Sequence, residues 1–265
     1  MRNKLTNELA VCGFNAVHAL GEFHPEQINR LFLREDRLPA FTKVCKQLAE
    51  EKRPYKLCED EELERLCKSP RHQGVVAMIE EPVIRDLTAE ELDRWAREGK
   101  TGLLLSSVGN DNNLGAIIRS AAFFDASFII LSDGDREARL TTSAYRVAEG
   151  GMEHVEVRKV RRPEAFVRDA AKKLVTIGAD HRSRLRIRDI NRIIGEERQK
   201  LQKKQSPGGQ YVPGILLAVG NEERGLAPGV REHCAILARI PGTGNIESLN
   251  VAQAATLFLH EIFES

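Results

Sequence analysis

Three clusters of polar residues and glycines carry the side-chain types that can bind and orient a ligand: Asn110–Gly115 with Arg119, Gly220–Leu226, and Ile240–Asn250. In the last, Pro241, Gly242 and Gly244 set backbone where no side chain crowds it, so main-chain groups are open to a ligand. Ser248 and Asn250 then meet the start of a predicted helix, where unpaired N–H groups and the helix dipole favour anionic or electron-rich atoms. A helix cap accounts for Asn250 equally well, because Gln253 stands three residues further on as in a capping box. Arg119 has its own plain alternative, a solvated surface arginine. The chemistry in view is recognition of an electron-rich substrate at one composite site.

The elements that must position these residues are legible around them. The apolar runs Leu103–Val108 and Ile215–Val219 read as buried strands, each ending in one of the polar loops. Open α/β sheets place ligands at such strand ends. After Asn110, the residues Leu114, Ile117, Ile118, Ala121 and Ala122 form one apolar stripe at helical spacing, with Arg119 off it. Val251–Ile262 is a second apolar helix. Further strands are expected at Phe128–Leu131, Val155–Val160, Leu174–Ala179 and Ile236–Arg239, with helices between several of them, the pattern of a parallel sheet covered on both faces.

On these residues the chain resembles the SpoU (TrmH-like) family of RNA ribose 2′-O-methyltransferases, within the SPOUT class. The first family motif, Asn-x-Gly-x-x-x-Arg, stands as Asn113, Gly115 and Arg119. The second stands as Gly220-Asn221-Glu222 with Gly225-Leu226, and the third as Ile240-Pro241 with Glu247-Ser248-Leu249-Asn250. The resemblance covers residues 101–265 apart from one insertion. It implies an α/β fold whose C-terminal parallel sheet carries a trefoil knot, with S-adenosylmethionine as cofactor, RNA as partner and a homodimer whose protomers both shape the site. The cofactor residues it implies are Gly220, Asn221, Glu222, Ile240, Gly242, Gly244 and Leu249, the last being either an apolar wall or ordinary core. The catalytic set is Arg119, Asn113, Glu222, Ser248 and Asn250.

Methyl transfer to a ribose hydroxyl is an in-line displacement at a sulfonium carbon and needs no metal, so alignment is what the site must supply, about 7–11 kcal/mol of barrier reduction. The resemblance implies that Arg119 carries the reacting end, either as the base or as a positioning and polarising group, and a guanidinium is very hard to deprotonate. Arg119 is therefore read as the group that binds the target phosphate and polarises the 2′-oxygen, with proton loss to phosphate or water. Asn113 and Asn250 would orient Arg119 or the ribose, Glu222 would hold that constellation or accept a hydrogen bond from RNA, and Ser248 would contact Asn113 or the target nucleotide.

The sequence departs from the family at several places. Asp111 stands where proline is common, Asp125 where glycine is usual, Glu149 in a segment that more often reads Ser-x-Gly-Ala, and Gly242 where methionine is commoner. The stretch 181–214 is longer than the corresponding family connection. Its part Glu196–Lys204 reads as an exposed helix, followed by a mobile Ser-Pro-Gly-Gly tip, either an RNA clamp or a tolerated surface excursion.

Ahead of residue 101, helices are expected at Asn15–Gly21, Phe41–Glu51 and Glu59–Cys67, and strands at Arg30–Leu33, Tyr55–Cys58 and Val75–Ile79. Gly13-Phe-Asn-Ala-Val17 and His72-Gln-Gly-Val-Val76 resemble the ribosomal-protein-like α/β/α domain that grips RNA in some SpoU enzymes. The organisation expected is thus an RNA-binding domain over 1–81, a linker with a short helix over 82–100 and the methyltransferase domain over 101–265. That N-terminal resemblance favours rRNA over tRNA as substrate. A catalytically silent RNA-binding paralogue is the alternative of a different class.

Composition restricts less. The 265 residues carry a net charge of +1, which neither demands nor excludes nucleic acid, although Arg158–Arg162 and Arg182–Arg192 are locally basic. No apolar run reaches membrane-spanning length and the N-terminus lacks a signal-peptide core. Cysteines at 12, 45, 58, 67 and 234 form no C-x-x-C pair, so free thiols in a reducing cytoplasm are expected, with neither zinc nor a disulfide framework. The glycine loops fall in the last third, which argues against a Rossmann-type methyltransferase, and no full Gly-x-x-x-x-Gly-Lys-Ser/Thr phosphate loop is present, since Gly99-Lys100-Thr101 has Arg94 where the first glycine belongs.

Overall fold

The computed structural model describes residues 8–132, 139–205, 212–221 and 224–264. In chain order the elements are β1 (Glu8–Cys12), α1 (Phe14–Phe23), β2 (Ile28–Leu33), α2 (Leu38–Glu50), β3 (Tyr55–Leu57), α3 (Asp60–Cys67), β4 (Val75–Glu80), α4 (Ala89–Arg97), β5 (Thr101–Leu105) and α5 (Asp111–Phe123). They continue with β6 (Phe128–Ser132), α6 (Thr142–Ala148), β7 (Glu156–Val160), α7 (Pro163–Ala170), β8 (Val175–Ala179), α8 (Ile190–Gln205), β9 (Ile215–Val219), α9 (Pro228–His233), β10 (Ile236–Ala238) and α10 (Val251–Phe263). The chain divides into two compact units. One takes Met1–Val83, Leu114–Arg119 and Arg139–His154; the other takes Ile84–Asn113, Ser120–Ala138 and Val155–Ser265.

The first unit has a four-stranded sheet in the order β1-β4-β2-β3, antiparallel except for the β2–β3 pair. Strand β1 was not among the elements expected from sequence. Its four residues after Glu8 are continuously apolar and too few to show a period, and Glu8 is buried only because Arg30 pairs with its carboxylate. The two N-terminal motifs meet here. Phe14 N–H donates to Gln73 Oε1 at 2.6 Å, and Gly13 N–H to the His72 carbonyl at 3.3 Å. Gln73 and Gly74 both adopt left-handed backbone, φ 54 and 81, and Gly74 N–H donates to His72 Nδ1 at 3.1 Å. His72-Gln73-Gly74 is therefore a built turn that caps α1 as well as feeding β4.

In the same unit Glu153 has a side chain only 6% exposed, with His24 Nε2 3.9 Å away. Burial pushes its carboxyl up to about 7, against the opposing pull of His24. Its ordinary value is 4.5, so between there and about 7 the folded protein keeps a proton that the unfolded chain has released. Stability falls as pH rises through that window, by about 3 kcal/mol in all. Glu153→Gln should therefore be more stable than the parent in urea unfolding at pH 8 and should lose that advantage at pH 4.5.

The second unit is built on a six-stranded, all-parallel sheet in the order β10-β8-β9-β5-β6-β7. Apart from the edge strand β7, which is half-buried and mixes charged with apolar residues, its strands are largely apolar and buried because both faces are covered. Helix α4, inside the stretch read as a linker, begins with a capping box: Thr88 Oγ1 accepts from Glu91 N–H at 3.2 Å and Glu91 Oε2 from Thr88 N–H at 3.1 Å. It buries Leu92, Trp95 and Ala96 in the core, and the Trp95 ring stacks on Phe128 at 3.8 Å and 3°. Phe128 has room because Gly102, its neighbour across the β5–β6 pair, has no side chain; a Cβ there would stand 2.0 Å from the ring. Helix α8 starts earlier than the expected exposed helix and is not simply exposed. Ile190, Ile194 and Leu201 are buried, because an apolar residue at each of these positions turns one face inward. The Ser-Pro-Gly-Gly tip lies outside the described residues.

Two family departures have a backbone reason. Asp111 is the first residue of α5, a position that suits either proline or an acid. Asp125, where glycine is usual, has φ 58, a conformation that costs an L-residue roughly 1–2 kcal/mol. Asp125→Gly should raise stability by about 0.5–1 kcal/mol in denaturant titrations. Glu149→Gly should not match that gain: Glu149 is also left-handed, φ 52, but its carboxylate accepts from Asn15 Nδ2 at 2.6 Å.

Candidate functional site

The last residues of β8, β9 and β10 (Ala179, Val219 and Ala238) open into one cavity of about 710 Å³. Its position beyond the carboxyl ends of parallel strands is where such sheets bind ligands, and its size is that of a small-molecule pocket. The walls come from the loops after β8 and β9, the loop between β10 and α10, and the first turns of α10.

The loop after β9 is a tight hairpin. Asn221 N–H donates to the Gly225 carbonyl at 3.1 Å and Gly225 N–H returns to the Asn221 carbonyl at 2.8 Å. A Cβ on Gly220 would lie 2.2 Å from the Gly225 carbonyl carbon, so glycine is required for the hairpin to close, and Gly225 itself has φ 68. Asn221 Oδ1 accepts from Arg224 N–H at 3.2 Å, while its amide donates to the Ser107 carbonyl at 3.2 Å. Ser107 sits at φ 61 just after β5, and its N–H donates to Ser132 Oγ at 3.2 Å. Asn221 thus ties the second motif to the loop that leads into the first. The strand expected to run to Val108 ends at Leu105 because of this turn.

In the third motif, residues 241–250 are all exposed. Gly244 has φ 88, and Cβ atoms added at Gly242 and Gly244 would meet nothing within 4 Å. Leu249 is 46% exposed and lines the cavity. Asn250 caps α10 by accepting from Ala252 N–H at 2.8 Å; the reciprocal box with Gln253 is replaced by this shorter reach, one residue closer to the helix start. The cap leaves its amide free to donate to Asn113 Oδ1 at 3.0 Å. Asn250 is thus both the cap of α10 and part of the cavity wall. A second link, Ser120 Oγ to Thr256 Oγ1 at 2.7 Å, fixes α5 against α10. Asn113 is itself placed by Asn110, whose side chain accepts from the N–H groups of Asn112 and Asn113 at 2.8 and 3.4 Å.

Of the residues singled out from sequence, Gly220, Asn221, Ile240, Gly242, Gly244, Ser248, Leu249 and Asn250 share the cavity wall, and Asn113 joins them through Asn250. Arg119 stands exposed on α5, off the buried stripe of Leu114, Ile117, Ile118 and Ala121, with no ion pair or hydrogen bond among the described residues. Ala122, assigned to that stripe, is half-buried. Glu222 lies outside the described residues.

Sequence reading missed Asp180, His181 and Arg239, which also line the cavity. The available signal was their position at strand ends, the same rule that marked the β9 loop. Burial works against ionisation of Asp180, but Arg231 Nε at 2.5 Å and Arg182 N–H at 3.0 Å hold its carboxyl below the ordinary value.

The wall suits a nucleoside-sized ligand: glycine backbone in open space at one side, apolar Ile240 and Leu249 for a flat ring, and amides and hydroxyls at Asn221, Ser248 and Asn250 for polar edges. Residues 100–260 match the SpoU rRNA Methylase family, and residues 10–83 match the RNA 2′-O ribose methyltransferase substrate binding family. The chain is 31% identical over 256 residues to the 23S rRNA (guanosine-2′-O-)-methyltransferase RlmB of Acinetobacter baylyi, covering 94% of each. It resembles the AdoMet-bound rRNA methyltransferase from Sinorhizobium meliloti with TM-score 0.72 and 22% identity, over 97% of this chain and 87% of that one. The SpoU methyltransferase AviRb from Streptomyces viridochromogenes, in complex with AdoMet, gives TM-score 0.68 and 24% identity, over 98% and 91%. At those identities the two structures are likenesses of fold.

Proposed function

The chain belongs to the SpoU rRNA Methylase family, and from that premise we propose that it transfers a methyl group from S-adenosylmethionine to a ribose 2′-hydroxyl of structured rRNA. The observation that carries the reading is the junction of three motif loops: Asn221 bonded to Ser107, Asn250 bonded to Asn113, and both amides on the wall of the cavity or one bond from it.

S-adenosylmethionine, when bound, supplies an electrophilic methyl on a sulfonium. Gly220, Asn221, Ile240, Gly242, Gly244 and Leu249 would hold it through backbone groups and an apolar wall, with Glu222 the further candidate of that loop. The protein's task is then to bring a ribose oxygen into line with the methyl and to ease loss of its proton. Arg119 binds the phosphate beside the target ribose and polarises the 2′-oxygen; the proton passes to phosphate or water, since the guanidinium stays charged throughout. Asn113 and Asn250, locked to each other, keep the approach rigid, and Ser248 at the rim contacts the nucleotide. Residues 1–81 serve as the RNA-gripping domain, 82–100 as the connection and 101–265 as the transfer domain. The same reading includes a C-terminal trefoil knot, a homodimer whose protomers both shape the site, and work in the cytoplasm.

The Acinetobacter baylyi relative is named for 23S rRNA, so unmodified 23S rRNA is the first substrate to test. The protein is incubated with methyl-labelled S-adenosylmethionine and, separately, unmodified 23S rRNA and tRNA transcripts, and label is mapped by nuclease digestion. Label on a 23S ribose is the expected result. Label confined to tRNA would overturn the rRNA assignment, and binding of cofactor and RNA without transfer would make the chain a silent RNA-binding paralogue.

A further inference from the structure

We infer that the row Arg182, Arg184, Arg186 and Arg188 is a docking track for the phosphodiester backbone of an RNA strand, leading to the lip of the cavity; the inference deepens the RNA-methyltransferase reading and rests on it for the identity of the strand. Four arginines fall within seven residues of a chain whose net charge is only +1. Their burial alternates with that of the residues between: the arginines are exposed, whereas Ser183, Leu185 and Ile187 are half-buried. Such alternation is that of an extended segment with one face against the protein and its arginines on the other.

The backbone of this stretch is pinned. Ser183 Oγ donates to the Leu237 carbonyl at 2.5 Å and accepts from Leu185 N–H at 3.2 Å. Arg239 N–H donates to the Leu185 carbonyl at 2.9 Å, and Ile187 N–H to the Arg239 carbonyl at 2.8 Å, a parallel bridge that extends the sheet beyond β10. Cations on a pinned backbone lose less freedom on binding than cations on a loose loop.

The charges are also unspent. Arg184 and Arg186 have no carboxylate partner among the described residues. Arg182 meets only the ring of His181, at 3.5 Å, and Arg188 has Asp189 at 3.9 Å with both side chains well exposed. Asp180, the carboxylate two residues before Arg182, is buried and paired with Arg231. The row begins at the cavity, since Asp180, His181 and Arg239 line it. The Arg239 Nε–H there is buried with no acceptor among the described residues. Free cations in a fixed row ending at a small-molecule cavity are what a strand presenting one ribose to that cavity requires, and phosphate contacts of this kind set register and orientation.

The test uses the full chain with all four arginines changed to glutamine (R182Q, R184Q, R186Q, R188Q) and a companion with all four changed to lysine. Binding of an unmodified 23S rRNA transcript is measured from 50 to 300 mM salt alongside methyl transfer, and S-adenosylmethionine binding serves as the check on folding. The glutamine variant should bind RNA at least about tenfold more weakly at 150 mM salt, with the slope of log affinity against log salt shallower by about 3, from roughly 0.7 per lost phosphate contact. The lysine variant should recover the slope. An unchanged RNA affinity and slope in a glutamine variant that still binds cofactor would overturn the track while leaving the proposed activity standing. A parent protein that binds RNA through the row yet transfers no methyl would do the reverse.

Discussion

Arg119→Ala should lower methyl transfer to 23S rRNA about 10²–10³-fold, the loss typical of removing one preorganised donor from a developing oxyanion. The side chain is exposed and makes no ion pair or hydrogen bond among the described residues, so the substitution removes no support from the fold. Thermal stability and S-adenosylmethionine affinity should therefore stay at parent values, and the loss should fall on kcat and RNA affinity. Arg119→Lys separates the two proposed roles. A lysine retains a positive charge for phosphate but not the planar fork that can reach phosphate and 2′-oxygen together, so it should recover RNA affinity while transfer remains low. Transfer at the parent rate in Arg119→Ala would remove Arg119 from the reaction.

Trp95→Ala should cost about 3–5 kcal/mol of stability in the unit that carries it, the largest effect expected of any single truncation in that core. Trp95 is 1% exposed, stacks on Phe128 and belongs to the apolar cluster that includes Leu104, Leu216 and Val167. Its Nε1 is buried without an acceptor among the described residues, so the indole contributes by packing alone and no hydrogen bond is lost with it. The denaturation midpoint should fall by roughly 10 °C, at about 2–4 °C per kcal/mol for a unit of this size. Trp95→Phe, which retains a ring against Phe128, should recover more than half of the loss. A midpoint within 2 °C of the parent for Trp95→Ala would show that α4 is not part of the core.

Both predictions mark where sequence reading succeeded and where it stopped. The inner parallel strands were legible because they are buried on both faces and so stand out as apolar runs between polar loops, as at Ile215–Val219. Helices α5 and α10 were legible from an apolar stripe at helical spacing beside a cap residue. By contrast α4, at Ala-Glu-Glu-Leu-Asp-Arg-Trp-Ala-Arg, was expected only as a short helix in a linker, with charge at five of nine positions; its burial depends on the space left by Gly102, which no local pattern records. Strand β1 has too few residues to show a period. Helix α8 presented its charged face first, and its buried face appears only with the sheet beneath it.

For the candidate site, residue types and spacing marked the three polar loops, because glycine turns, helix starts and strand ends are local features, and the resemblance to the SpoU family singled out Asn113, Arg119, Gly220, Asn221, Ile240, Ser248 and Asn250 within and beside them. Which of these share a wall was a tertiary matter. The bonds Asn250–Asn113 and Asn221–Ser107 join residues more than a hundred positions apart, and the places of Asp180, His181 and Arg239 follow from the lateral order β10-β8-β9. A sequence carries the conformational preferences of each segment through short-range sterics and solvation. The order in which parallel strands lie side by side, and hence which loops meet at their ends, is set by how whole elements pack.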